Sequence, residues 1–117
     1  MSDQRYGFSK EHRLGKKKEI DQLFQAGKFE HVGFLNFRYL SQDAGHMKVV
    51  ISISKRVGNA PKRNRIKRLV REALRLSRAL KQHSVNCAIY VTKPPRNQPT
   101  LPRVQSYIEK FLASLPQ

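Results

Sequence analysis

Between Lys16 and Ala26 the apolar residues Ile20, Leu23 and Phe24 recur at i, i+3 and i+4 among polar neighbours, the spacing of one helix face. Gly27 follows where a left-handed C-cap belongs, although no Ser, Thr, Asp or Asn marks the start of this helix. From Phe29 to Leu40 the period changes to two. Leu35, Phe37 and Tyr39 alternate with Phe34, Asn36 and Arg38, which predicts a strand that Gly33 is free to break. The stretch SQDAG reads as a turn into MKVVISIS, whose β-branched residues predict a second strand antiparallel to the first. Pro61 suits the first turn of a helix, where its missing N–H would be unpaired anyway. In that helix Ile66, Leu69, Val70, Ala73 and Leu74 repeat at helical spacing to near Arg78. Ser84 to Thr92 predicts a buried strand, KPPRNQP a proline-rich loop, and Thr100 the N-cap of a last helix whose stripe is Leu101, Val104, Ile108, Phe111, Leu112 and Leu115.

Counting a break at Gly33, the order is α-β-β-β-α-β-α. It predicts an α+β domain in which a small, mostly antiparallel sheet packs with three helices on one face. The 117 residues fit one domain spanning 1–117, with residues 1–12 expected to be a flexible lead-in.

Charge changes this picture from a generic small domain to one with a polyanionic partner. Ten Lys or Arg and one acid, Glu72, fall between Lys55 and Arg78, so this stretch carries +9 of the formal +16. A sequence pI near 10.7 implies self-repulsion that a polyanion would offset. On a helical wheel with Ile66 at zero, the apolar residues of the central helix cluster between about 300° and 80°, and Asn64, Arg65, Lys67, Arg68, Arg71, Arg75 and Arg78 between about 100° and 260°. A merely solvated face would interleave Glu with Lys at i, i+4, and here only Glu72 does so. Arginine dominates, and its planar fork suits bidentate phosphate contact. Asn64 can donate to and accept from a base edge or a 2′-hydroxyl, and Gly58 and Asn59 can adopt the positive φ that turns backbone N–H groups toward an anion. A membrane-surface helix fits less well, because the apolar face is committed to a core.

Two classes are excluded or left without support. The eight acids are scattered, and His12, His31, His46 and His83 stand singly in the sequence, so neither a carboxylate cluster for metal nor a His pair for acid–base work is visible. The N-terminal residues lack a secretory h-region and no apolar run approaches a membrane span, which points to a cytoplasmic protein with no membrane partner. Cys87, the only cysteine, lies in the apolar run VNCAIYV and reads as a core residue.

The segment SKRVGNAPKRNRIKRLVR, Ser54 to Arg71, resembles the signature of the bacterial ribonuclease P protein subunit, centred on Arg63, Asn64 and Arg65. Arg13, Leu14 and the stretch Phe24 to Gly27 match further features of that family. The resemblance implies a left-handed βαβ crossover through the basic helix. It also implies a ribonucleoprotein that removes 5′ leaders from precursor tRNA, in which a catalytic RNA holds Mg²⁺ and performs the hydrolysis, and the protein has no catalytic residue and no metal of its own. Carried over by position, Lys55, Arg56, Gly58, Asn59, Arg63, Asn64, Arg65, Lys67, Arg68, Arg71 and Arg75 would contact the catalytic RNA. Arg13, Ile20, Phe24, Asn36 and Arg38 would line a cleft for the single-stranded leader. The family often has an aromatic residue at the position of Ile20. Asn36 and Arg38 are preferred over Leu35, Phe37 and Tyr39 because polar and cationic groups suit a phosphate backbone, while Phe24 reads equally well as core. A ribosomal or other structural RNA-binding protein without a role in cleavage is the alternative that composition alone leaves open.

Overall fold

The computed structural model describes residues 12–115. Residues 1–11, most of the expected lead-in, lie outside that range. His12, its last residue, is buried, with its ring Nδ1 2.9 Å from the Met47 carbonyl oxygen.

In chain order the elements are α1 (Lys17–Ala26), β1 (Lys28–Val32), β2 (Leu35–Ser41), β3 (Lys48–Ile53), a single 3₁₀ turn (Lys55–Val57), α2 (Ala60–Leu76), the one-turn α3 (Ala79–Gln82), β4 (Val85–Val91) and α4 (Leu101–Ser114). The break expected at Gly33 is a two-residue hairpin turn: Val32 pairs with Leu35, and Gly33 has φ +62 while Phe34 does not have positive φ. A II′ turn, which matches the twist of the flanking strands, asks for that arrangement.

The four strands lie in the order β1-β2-β4-β3, with β1–β2 and β2–β4 antiparallel and β3–β4 parallel. This corrects the expectation that MKVVISIS pairs with the first long strand. β4 takes the place between them because it is buried on both faces, with five of its seven residues buried, and a strand of that kind belongs inside a sheet. β3 keeps Ser52 exposed and lies outside β4. The connection from β3 back to its parallel neighbour runs through α2 and α3, as a parallel pair requires.

One sheet face presents Phe37, Val49, Cys87, Ile89 and Val91 to α2 and α4. Phe37 stacks on Phe111 of α4, centroids 4.0 Å apart and planes 8° from parallel. Ile66, Val70, Ala73 and Leu74 of α2 and Val104, Ile108 and Phe111 of α4 complete this core. Cys87 is buried there, and burial raises its thiol pKa. On the opposite face α1 buries Leu23 against Leu14 and Ala88, with Ile20, Leu40, Val50 and Tyr90 around them. The helices therefore occupy both faces, not one. The α1 stripe is short, so it covers only part of its face and leaves Phe24 and Phe29 exposed beside it.

Two local expectations also change. Gly27 ends α1 in an extended conformation, φ −74, and is required for a different reason: a Cβ there would sit 2.3 Å from the Leu23 carbonyl oxygen and 3.0 Å from that of Tyr39. Thr100 occupies the N-cap of α4 without a side-chain capping bond.

Candidate RNA interface

The basic helix begins at a tightly built corner. Ser54 Oγ accepts from the Arg56 N–H at 3.2 Å and starts the 3₁₀ turn that carries the exposed Lys55 and Arg56. Gly58 has φ +155, and a Cβ on it would lie 2.9 Å from Lys62 Cδ, so the corner admits only glycine without a shift. Asn59 does not share the positive φ. At φ −71 it is the N-cap of α2, its Oδ1 accepting from the Lys62 N–H at 3.0 Å, so its side chain serves the start of the helix.

Along α2, Asn64, Arg65, Arg68 and Arg75 are exposed and Arg63, Lys67 and Arg71 half-buried. The helix carries no acid in its first turn. Several of these cations are partly committed inside the protein. Arg63 Nε donates to the Gly58 carbonyl at 3.1 Å, bracing the corner, and Arg65 Nη2 donates to the Pro99 carbonyl at 3.2 Å, holding the proline-rich loop. Arg75 Nε donates to Glu72 Oε1 at 3.1 Å and its Nη2 to Glu72 Oε2. That bond to Arg75 holds the Glu72 carboxyl below the usual carboxylate range. Asn64 and Arg68 on the helix, with Lys55 and Arg56 on the turn before it, are exposed members of the expected set whose side chains make no hydrogen bond or ion pair among the described residues.

The second surface lies on the α1 side of the sheet. The register pairs Arg38 with Phe29 and Ala88, and Asn36 with His31 and Tyr90, so these residues share the face that α1 only partly covers. Phe24, 44% exposed, is not a core residue. Its ring is 5.7 Å from that of Tyr90. The Arg38 guanidinium lies 6.0 Å from the Phe24 centroid and 5.5 Å from that of Phe29, itself 53% exposed. The result is a row, Tyr90, Phe24, Arg38, Phe29, in which a cation stands between two exposed rings. Arg38 Nη1 reaches the Gly27 carbonyl at a long 3.5 Å, and its buried Nε has no protein acceptor. Asn36 is anchored beside the row, its Nδ2 donating to the Tyr90 carbonyl at 3.3 Å and its Oδ1 2.8 Å from His31 Nδ1.

Phe24, Asn36 and Arg38 are thus brought together, and Ile20 packs one turn away in the small α1 cluster. Arg13 is not with them. Its backbone bridges to Val49 on the outer edge of β3, and three strand spacings, about 14 Å, separate that level from β2. Tyr90 and Phe29 were missed. Alternation in VNCAIYV already sets Tyr90 with Asn86 and Ala88 against the core residues, whereas placing Phe29 opposite Arg38 needs the hairpin register.

His12 and His46, single in the sequence, meet edge to face with centroids 5.0 Å apart. Among the described residues no group of three or more His, Cys, Asp or Glu is positioned to hold a metal ion, and no helix is long and apolar enough to cross a membrane.

A family model described as Ribonuclease P matches residues 8–115. The ribonuclease P protein component of Exiguobacterium sp. is 43% identical over 67 residues, covering 57% of this chain and 59% of that protein. That of Dictyoglomus turgidum is 35% identical over 92 residues, covering 79% and 76%. The matched segment thus spans about three-fifths of the first of these relatives and three-quarters of the second. Among solved structures, the RNase P protein of Staphylococcus aureus superposes with a TM-score of 0.75 at 22% identity, covering 87% of this chain and 93% of that one. The RNase P protein of Thermotoga maritima gives 0.75 at 18% identity, covering 90% and 98%. At these identities the two structures establish a shared fold.

Proposed function

The chain belongs to the ribonuclease P protein family, and from that premise we propose that it is the protein subunit of a ribonucleoprotein that removes 5′ leaders from precursor tRNA. A catalytic RNA performs the hydrolysis and holds the Mg²⁺, and a tRNA-processing role places the work in the cytoplasm. The observation that carries this reading is the presence of two chemically different surfaces on one small domain: a cationic helix face without aromatic rings, and a partly covered sheet face where Phe24 and Phe29 flank Arg38.

Each surface suits a different RNA. Structured RNA presents phosphates at its outside and hides its bases, so the arginines of α2 engage the catalytic RNA and displace counterions from it. A single-stranded leader exposes base faces as well as phosphates, and the Tyr90, Phe24, Arg38, Phe29 row offers stacking and a cation together. Holding both RNAs on one rigid sheet fixes the leader relative to the catalytic RNA, which assists by positioning and needs no proton transfer by the protein. A structural RNA-binding protein would account for α2 but gives the exposed aromatic row no task.

Cleavage of precursor tRNA by the cognate catalytic RNA, with and without this protein at low Mg²⁺, tests the proposal. The protein should restore cleavage at Mg²⁺ concentrations where the RNA alone is inactive. Cleavage by rigorously RNA-free protein, or no effect of the protein on the RNA, would contradict it.

A further inference from the structure

At the hairpin end of the sheet, the β1–β2 turn and the loop leading into α4 enclose a pocket of about 550 Å³ whose lining includes His31, Asn36, Lys93, Arg96, Arg103 and Tyr107. Among the described residues no acid lines it. The rings of Phe34 and Tyr107 meet edge to face, 5.5 Å between centroids, and form an apolar wall. The hairpin tip closes directly on this wall, since a Cβ on Gly33 would lie 2.2 Å from the Tyr107 ring. Lys93, Arg96 and Arg103 are all exposed. Three cations around one pocket with no acid repel one another, and an anion that enters relieves this.

Position narrows the class of anion. Asn36 lines this pocket and stands two residues from Arg38 on the same face of β2, so the pocket lies next to the Phe24–Arg38 row. Cations beside an aromatic wall are also what a single strand asks for, in contrast to α2, where the cations have no aromatic neighbours on their face. We infer that this pocket is a second single-strand RNA site, continuous with the Phe24 cleft, in which Arg96 and Arg103 hold leader phosphates and a base rests against the Phe34–Tyr107 wall. This rests on the leader reading of the cleft.

The test uses holoenzyme assembled from cognate catalytic RNA with wild-type protein, Phe24→Ala, or the double variant Arg96→Ala/Arg103→Ala. Affinity is measured for mature tRNA and for precursors whose leaders are lengthened one nucleotide at a time. The double variant should match wild type on mature tRNA and in assembly with the catalytic RNA, and fall behind only on leaders long enough to reach the pocket. There its slope of log K against log salt should be shallower by about 0.7 for each phosphate that the variant no longer neutralises. The leader length at which it first falls behind should differ from that for Phe24→Ala, because the two sites fill at different lengths. If Phe24→Ala discriminates precursor from mature tRNA as expected but the double variant equals wild type at every length, this inference is overturned and the leader cleft stands. Weakened assembly with the catalytic RNA, or equal loss on mature tRNA, also overturns it by assigning the pocket to another RNA. If Phe24→Ala shows no leader dependence, both readings fall. Thermal melting accompanies each variant, and Arg96→Gln/Arg103→Gln replaces the alanine pair if that pair melts early.

Discussion

The α2 face and the α1 cleft both present arginine to solvent, but they are built by different means. On α2 one helical period sorts core from cation, so the surface is complete as soon as the helix forms and packs. The cleft draws Phe24 from a helix, Arg38 from the middle of a hairpin strand, Phe29 from the edge strand and Tyr90 from a strand some fifty residues later. It exists only when the β1-β2-β4 register is in place. A surface made by one element can be extended residue by residue. A surface made by four demands a rigid sheet beneath it, and that suits a site where ring spacing matters more than total charge.

The largest effect that would break this contrast comes from removing the sheet's support. Phe37→Ala deletes the ring stacked on Phe111 and should cost about 3 to 5 kcal/mol of stability, read by urea unfolding, and it should weaken binding at both surfaces together. Phe24→Ala should separate them. A Phe this exposed contributes little to the core, so the melting temperature should hold. Affinity of the holoenzyme for precursor tRNA should nevertheless fall by roughly fivefold to a hundredfold, the loss of one stacked base at about 1 to 3 kcal/mol. Asn59→Ala removes the α2 N-cap and should destabilise the domain by about 1 kcal/mol, with a matching loss at the corner but none of the base-stacking signature. Smallest in free energy, Arg68→Ala should leave the fold intact and lower the salt slope of catalytic-RNA binding by about 0.7 to 0.9 if it makes one phosphate contact. Isothermal titrations at several salt concentrations would read it.

The same contrast explains what could be read from the chain before its structure. The α2 face was legible because a 3.6-residue period is local, and the resemblance centred on Arg63, Asn64 and Arg65 is borne out by the family match over 8–115. Alternation split β2 into two faces, and the polarity of Asn36 and Arg38 against the apolar Leu35 and Phe37 decided which of them turns away from the main core. Strand order was not. Nothing local says that β4 will lie between β2 and β3, since that depends on burial from both sides. Phe29 was invisible for the same reason, because a two-residue turn at Gly33 decides which face of β1 it shares with Arg38. Asn59 and Gly27 show a subtler limit. Both were expected to take positive φ, but Asn59 caps a helix at φ −71 and Gly27 relieves a close backbone approach in an extended conformation.

Whether the two surfaces serve different RNAs is measured directly by crossing one variant from each with both ligands. Holoenzymes carrying Phe24→Ala or Arg68→Ala are compared for assembly with the catalytic RNA and for the ratio of precursor to mature tRNA affinity. Phe24→Ala should assemble like wild type and lose the preference for precursor, while Arg68→Ala should weaken assembly and, once assembled, keep that preference. Parallel losses in both measurements for both variants would mean one undivided RNA surface and would contradict the account.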